Sequence, residues 1–321
     1  MPEDEGKNGN RWTDEASVLF KRIGWEKIAD SNIDIEGVDG QQHGIDSLFR
    51  YRDGLHQSLE GVFVEAKRYR TTSFNRAKLL DWVDRLHEKM TELRRSGPFN
   101  SQYPAMGEST SRNGLLVLWF HDLENYPRFR STLTESMQTV KTTRRRGSIG
   151  SPSRLFVLEN EAILRLCSLL QAVQEWNNTN KADSAASGRL KFFYPSALDF
   201  GHPSQLTEVL NIEGLFSKCV LAKSRELDAR SSQIVDADVV FYFGHLDLQS
   251  FQRLRSALLE LGMAQSDHNL YIYLYQRDDD FRKIEPDVKK LFEDDQYHKV
   301  QLKTMDRFGD LPSWVKNEAG E

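Results

Sequence analysis

His43-Gly44-Ile45-Asp46-Ser47-Leu48-Phe49-Arg50-Tyr51-Arg52 is followed, after a turn-forming stretch from Asp53-Gly54 to Glu60-Gly61, by Val62-Phe63-Val64-Glu65-Ala66-Lys67-Arg68-Tyr69. Leu48 to Arg52 and Val62 to Lys67 are rich in β-branched and aromatic residues, so the pair reads as a β-hairpin with a long loop. Residues two apart on a strand share a face, so Glu65 and Lys67 project together while Ala66 points away. With Phe63 on their side at the core end, Glu65 and Lys67 come to the exposed end of the strand. Asp46, at the start of the partner strand, meets them across the hairpin.

Two carboxylates and an ammonium in that arrangement have a definite use. Hard carboxylate oxygens suit Mg²⁺, which keeps several waters and takes further ligands from phosphate oxygens. An ammonium beside them positions an attacking water and offsets charge that develops on a phosphoryl group. Asp46, Glu65 and Lys67 are therefore the candidate catalytic residues of a phosphodiester-hydrolysing centre. Asp46 and Glu65 are its metal ligands, and the Ala66 carbonyl is a further candidate. The bland alternative is a surface hairpin whose Glu65 and Lys67 form an ordinary solvated pair.

Gly44-Ile45-Asp46, a hairpin, and then Glu65-Ala66-Lys67 resembles the signature of the PD-(D/E)XK, or restriction-endonuclease-like, nuclease superfamily. Glu65-Ala66-Lys67-Arg68-Tyr69 is close to the form found in enzymes that cut modified or foreign DNA. The resemblance covers residues 12 to 175. It implies an α/β fold with an αβββαβ core, a Mg²⁺ cofactor with Mn²⁺ as a substitute, and a DNA substrate. It also implies a defence-type endonuclease in a bacterial restriction or anti-phage system. Many such enzymes work as homo-oligomers or beside an ATPase or helicase subunit. A Glu on the first helix often adds a metal ligand in this superfamily, and Glu15 is the matching position. The chain departs in one place, since Ile45 rather than Pro precedes Asp46. Glu-x-Lys alone occurs by chance in most chains of this length, so the weight rests on its strand setting and on the Gly-x-Asp upstream. A catalytically silent module of the same fold, binding DNA or protein, is the second reading, and RNA cleavage would use the same chemistry.

Charge patterning supports phosphate contact. The net charge of −5 argues against a generic nucleic-acid coat. Its distribution is uneven: residues 67–95 hold nine Lys/Arg against four Asp/Glu, 128–154 hold seven against one, and 1–66 hold seven against fourteen. An acidic pole beside two basic segments suits an enzyme that grips phosphates while holding a metal. Arg68 and Arg70 just past the motif, and Arg144, Arg145 and Arg146 in a Gly/Ser/Pro-flanked loop, are the candidate DNA contacts. Arg76, Lys78, Arg85, Lys89 and Arg94 line the outer face of the helix that follows.

Around the hairpin, residues 1–11 read as disordered, and Thr13 reads as the N-cap of an amphipathic helix that stops at Gly24. Residues 25–35 suggest a strand and 36–43 a polar turn carrying His43, a possible substrate contact. Leu79, Leu80, Val83, Leu86, Met90 and Leu93 recur at helical spacing. Residues 96–113 read as a loop, 115–120 as a strand buried on both faces, 126–141 as a helix, 155–158 as a strand and the stretch from Asn160 as a helix. His121-Asp122 closes the central strand without a partner in sequence.

The nuclease domain is expected over 12–178 and a linker over 179–189, where apolar periodicity vanishes. A C-terminal, mainly parallel α/β domain for regulation or assembly follows over 190–310, with a tail over 311–321. Its strand candidates are 190–194, 219–222, 239–243, 270–275 and 300–302. Helical patterns are expected at 203–210, 248–261 and from Pro286. No strand there is followed by a Gly-rich phosphate loop, so a nucleotide site of that type is unsupported. Cys167 and Cys219 read as packed, reduced thiols. No run is apolar for long enough to cross a bilayer and no signal opens the chain, which reads as cytoplasmic.

Overall fold

The computed structural model describes residues 7–29, 31–109, 111–138, 140, 154–180, 188–195, 204–227, 233–263, 265, 267–293 and 297–320. The elements begin with α1 (Lys7–Arg22), β1 (Glu26–Lys27), β2 (Ile33–Glu36), β3 (Gln42–Ile45), β4 (Ser47–Arg52), β5 (Leu59–Tyr69) and α2 (Arg76–Arg95). They continue with α3 (Gly97–Gln102), α4 (Pro104–Gly107), β6 (Ser111–Phe120), α5 (Tyr126–Gln138), β7 (Arg154–Leu158) and α6 (Asn160–Thr179).

By internal contacts the chain divides into two units, Met1–Asp53 with Ser58–Ile163 and Gly309–Glu321, and Gly54–Gln57 with Leu164–Phe308. The first is built on a sheet of order β1-β4-β5-β6-β7. β4 pairs antiparallel with β5, placing Ser47 opposite Val64, and β5 pairs parallel with β6, placing Glu65 beside Leu116 and Lys67 beside Leu118. The sequence α1-β1-β4-β5-α2-β6 gives the αβββαβ core, and β7 extends it in parallel.

Strand alternation sorts the faces. Phe63, Leu116, Leu118 and Phe120 pack with Leu79, Val83, Leu86, Met90 and Leu93 of α2. On the other face, Phe20 of α1 meets Phe49 edge-on at 5.5 Å between centroids, and Trp12 lies 5.6 Å from Trp119.

The structure departs from several of the expected element boundaries. α1 begins at Lys7 and not beyond Thr13. Buried Trp12 explains this, because its Nε1 donates to the Val117 carbonyl at 3.4 Å and anchors a turn ahead of Thr13. The helix ends as expected at Gly24, whose φ of +86° suits a residue without Cβ. The strand expected over 25–35 is broken into β1 and β2, with Asn32 at φ +58° between them. The turn expected over 36–43 shortens, because β2 and β3 form a separate hairpin with Ile33 opposite Ile45. The 96–113 loop contains α3 and α4, with Ser96 capping α3 by accepting from Phe99 N.

The second unit contains β8 (Lys191–Tyr194), β9 (Gln205–Thr207), β10 (Cys219–Leu227), β11 (Ile234–Tyr242), α7 (Leu248–Glu260), β12 (Asn269–Leu274), α8 (Asp279–Glu293) and β13 (Lys299–Thr304). Its sheet order is β13-β12-β11-β10-β8-β9. The parallel part is β11-β12-β13, connected through α7 and α8, while β10, β8 and β9 pair antiparallel. Phe251, Leu254, Leu258, Phe281, Val288 and Phe292 of the two helices pack on Val240, Leu270, Ile272 and Leu274.

The helix expected at 203–210 is replaced by β9, where Leu206 pairs with Phe193 of β8, so strand pairing overrides a weak helical pattern. α8 opens at Asp279, not Pro286. The Asp278 side chain accepts from Phe281 N at 2.7 Å and fixes the start, which leaves Pro286 inside the helix. Burial pushes both thiols up to about 12, so Cys167 and Cys219 stay protonated near neutral pH.

Residues expected as a tail form α9 (Ser313–Glu318), which returns to α1 in the first unit. Most of the expected linker and all of the basic loop at 141–146 lie outside the described residues. Among the described residues, no helix is long and apolar enough to cross a membrane.

Candidate active site

β4 starts at Ser47, opposite Val64, so β5 runs past its partner and leaves Glu65 to Tyr69 free of β4. Asp46 sits at the point of departure. Its carbonyl accepts from Asn32 N at 3.0 Å and Ser47 Oγ at 2.7 Å, which holds its backbone. Its side chain crosses to the strand, where Oδ2 accepts from Ala66 N at 2.7 Å. That bond takes the place of a ladder bond and aims the carboxylate at the face carrying Glu65 and Lys67.

The three side chains converge. Lys67 Nζ lies 3.3 Å from Glu65 Oε2 and 3.7 Å from Asp46 Oδ2. A fourth group arrives from α2, with Lys89 Nζ donating to Glu65 Oε1 at 2.5 Å. The Glu65 side chain is only 7% exposed, against 18% for Asp46 and 16% for Lys67, so the cluster is a half-sheltered lip. Burial, and then the charge of Glu65, push the Asp46 carboxyl up to about 6, although Lys67, the Ala66 N–H and Lys89 pull it down. A carboxylate kept costly by burial and a like charge gains from a cation placed between the two acids.

The donor set fits a hard divalent ion. Two carboxylates on one lip meet the demand of Mg²⁺, which binds through one or two protein carboxylates and retains water. Two ammoniums balance the two carboxylates, so an entering cation competes with Lys67 and Lys89 for the same oxygens.

The remaining candidates are placed as follows. Glu15 lies on α1, buried to 2% exposure, with Oε1 accepting from Arg11 Nε at 3.0 Å and Oε2 without a hydrogen-bond partner. α1 packs against the sheet face opposite Glu65. No group of three metal-type ligands occurs among the described residues, so the structure does not bring Glu15 to Asp46 and Glu65. Arg68 is half-buried, and strand alternation turns it from the side of Glu65 and Lys67. Arg70 is exposed at the strand exit, where its Nε donates to His121 Nε2 at 3.3 Å. Arg144, Arg145 and Arg146 lie outside the described residues.

Asp122 is a structural acceptor for Thr71 N at 2.8 Å and Thr71 Oγ1 at 2.5 Å, tying the exit of β6 to that of β5. Burial opposes its charge, but the Thr71 bonds prevail and hold its carboxyl below the usual range. His43 pairs with Asp39 at 3.1 Å on its own hairpin.

Lys89 is the site residue that helix-face reasoning assigns to the outer surface. The overlooked signal is its spacing, three residues after Leu86 and four before Leu93 in the buried stripe. A family model described as the GAPS4 protein PD-(D/E)XK nuclease domain matches residues 1–162, just over half of the chain. No curated protein matches the sequence.

Proposed function

We propose that this chain, which belongs to the GAPS4 PD-(D/E)XK nuclease family, is a divalent-metal-dependent DNA endonuclease and the effector of a bacterial anti-phage or restriction system. The observation that carries this reading is the convergence of Asp46, Glu65 and Lys67, with the Lys67 amine within 3.7 Å of both carboxylates. When bound, Mg²⁺ or Mn²⁺ supplies Lewis-acid polarisation of a phosphoryl oxygen and acidifies a bound water.

Asp46 and Glu65 would hold the cation. In an extended strand the N–H and C=O of one residue leave on the same side, so the Ala66 carbonyl follows its N–H toward Asp46 and would offer a third oxygen. Lys67 orients the attacking water against the phosphorus and helps to remove its proton. Lys89, released from Glu65, faces the phosphate oxygens and offsets the charge that develops there. Arg70 at the strand exit, together with Arg144 to Arg146, grips flanking phosphates.

One observation favours the second reading, a silent nuclease-fold module. Lys67 and Lys89 pair with both carboxylates, an arrangement that an ordinary structural ion-pair cluster would also give. Supercoiled plasmid separates the two readings. With Mg²⁺ or Mn²⁺ the wild type nicks it, EDTA stops the reaction, and Glu65→Gln and Lys67→Ala each lower the rate by about 10²-fold or more. A wild type that never nicks DNA with either metal, or variants that cut as well as wild type, overturns the enzymatic reading.

A further inference from the structure

The second unit contains a cavity of about 460 Å³, within the range of small-molecule sites. Arg189, Lys191, Leu206, Lys223, Arg225 and His268 contribute to its wall, together with Asp236 and Asp238. The sheet register decides how these charges face one another. Lys191 of β8 stands directly opposite Lys223 of β10, which stands opposite Asp238 of β11, and Arg225 stands opposite Asp236. Directly paired residues share a sheet face, so these groups project into one space.

Folding alone gives no reason for Lys191 opposite Lys223, because like charges directly opposite on paired strands are destabilising. The acids neutralise only part of the positive charge. Asp238 is fully buried and takes up Lys223 at 3.6 Å and His268 Nδ1 at 3.0 Å, while Asp236 takes up Arg225 at 3.0 Å. Lys223 is also held from below, its amine 4.8 Å from the centre of the Phe193 ring. Arg189 meets Glu208 only at 3.8 Å between exposed side chains, a contact of little strength. Lys191 makes no ion pair with a described residue. Among the described lining residues, four cations against two carboxylates leave two positive charges facing the cavity, in a chain whose net charge is −5.

We infer that this cavity binds a small organic phosphate monoester through Arg189, Lys191, Lys223 and Arg225. A phosphate monoester carries about two negative charges near neutral pH, matching the excess, and offers several oxygens to donors arriving from separate strands. Leu206, half exposed at the rim, offers apolar surface to the organic part. The buried Asp238 fixes Lys223 and His268 as a rigid back wall. The site belongs wholly to the second unit and does not depend on the nuclease reading.

The test is calorimetric titration of the full chain carrying Glu65→Gln, in EDTA so that the nuclease lip contributes no metal site, with 5′-AMP and with inorganic phosphate. Saturable binding of one 5′-AMP per chain is expected, with inorganic phosphate weaker. Lys191→Glu and Arg225→Gln should each reduce affinity by about tenfold or more. Lys191→Glu removes a like-charge pair, so without ligand it should melt at or above the parent temperature, which separates lost binding from lost folding. Absence of saturable binding by either probe overturns the inference. Affinity unchanged in Lys191→Glu also overturns it, as does binding that disappears in Lys67→Ala or is shown only by an oligonucleotide.

Discussion

Asp46 and Lys89 shape the site in opposite ways. Burial and Glu65 raise the Asp46 carboxyl to about 6, so its ionised form opposes folding of the metal-free protein. Below about pH 4 both folded and unfolded states hold the proton and the effect vanishes; it grows through pH 4–6 and is complete above 6. Asp46→Asn keeps an acceptor for the Ala66 N–H and removes the charge. It should stabilise the chain in EDTA by about 2–3 kcal/mol at pH 7.5 and by nearly nothing at pH 4, measured by urea denaturation. Equal stability at both values would remove the electrostatic account of this carboxylate. Lys89→Met should split affinity from turnover. With one ammonium fewer on Glu65, Mg²⁺ should bind several-fold more tightly, while plasmid nicking slows by roughly 10²-fold. Tighter binding with unchanged turnover would make Lys89 only a competitor for the metal. Asp46, Glu65 and Lys67 were legible because alternation on a strand and a hairpin are local rules. Lys89 was not, because its meeting with Glu65 depends on how α2 lies across the sheet, which helical periodicity leaves open.

At the scale of elements, the lip is held by joints that couple strands to helices. Asn160 is fully buried at the start of α6, accepting from Phe120 N and donating to Phe120 O, each at 2.8 Å, so it locks the end of β6 in place. Asn160→Ala should cost roughly 2–4 kcal/mol, because both strand groups lose a buried partner. A loss under about 0.5 kcal/mol by urea denaturation would show that water replaces the side chain. The elements that sequence reading placed well, β4, β5, α2, β6 and α7, carry strong apolar patterns bounded by capping or turn residues. Two of the misplaced ones depended on tertiary partners: the Val117 carbonyl anchors Trp12 and lengthens α1, and Phe193 draws Leu206 and β9 into a ladder. The third, the start of α8 ahead of Pro286, had a local signal, because Asp278 caps Phe281 N three residues on.

At the scale of the whole molecule, the chain returns to its beginning. α9 places fully buried Val315 in the first unit, and Arg22 pairs with Glu318 and lies 4.1 Å over the Trp314 ring. Removing the residues from Gly309 onward should lower the melting temperature of the first unit by roughly 5–10 °C, seen by calorimetry. Two unshifted transitions would contradict that role. The αβββαβ core was readable because it is continuous in sequence, whereas the return of α9 was hidden in a short polar segment. The proposed function rests on one divalent ion held jointly by Asp46 and Glu65. Titrating Mn²⁺ into EDTA-stripped wild type, Asp46→Asn and Glu65→Gln tests this most directly. The account predicts one ion per wild-type chain, with affinity reduced about tenfold or more in each variant. Equal binding in all three proteins, or none in the wild type, would contradict it.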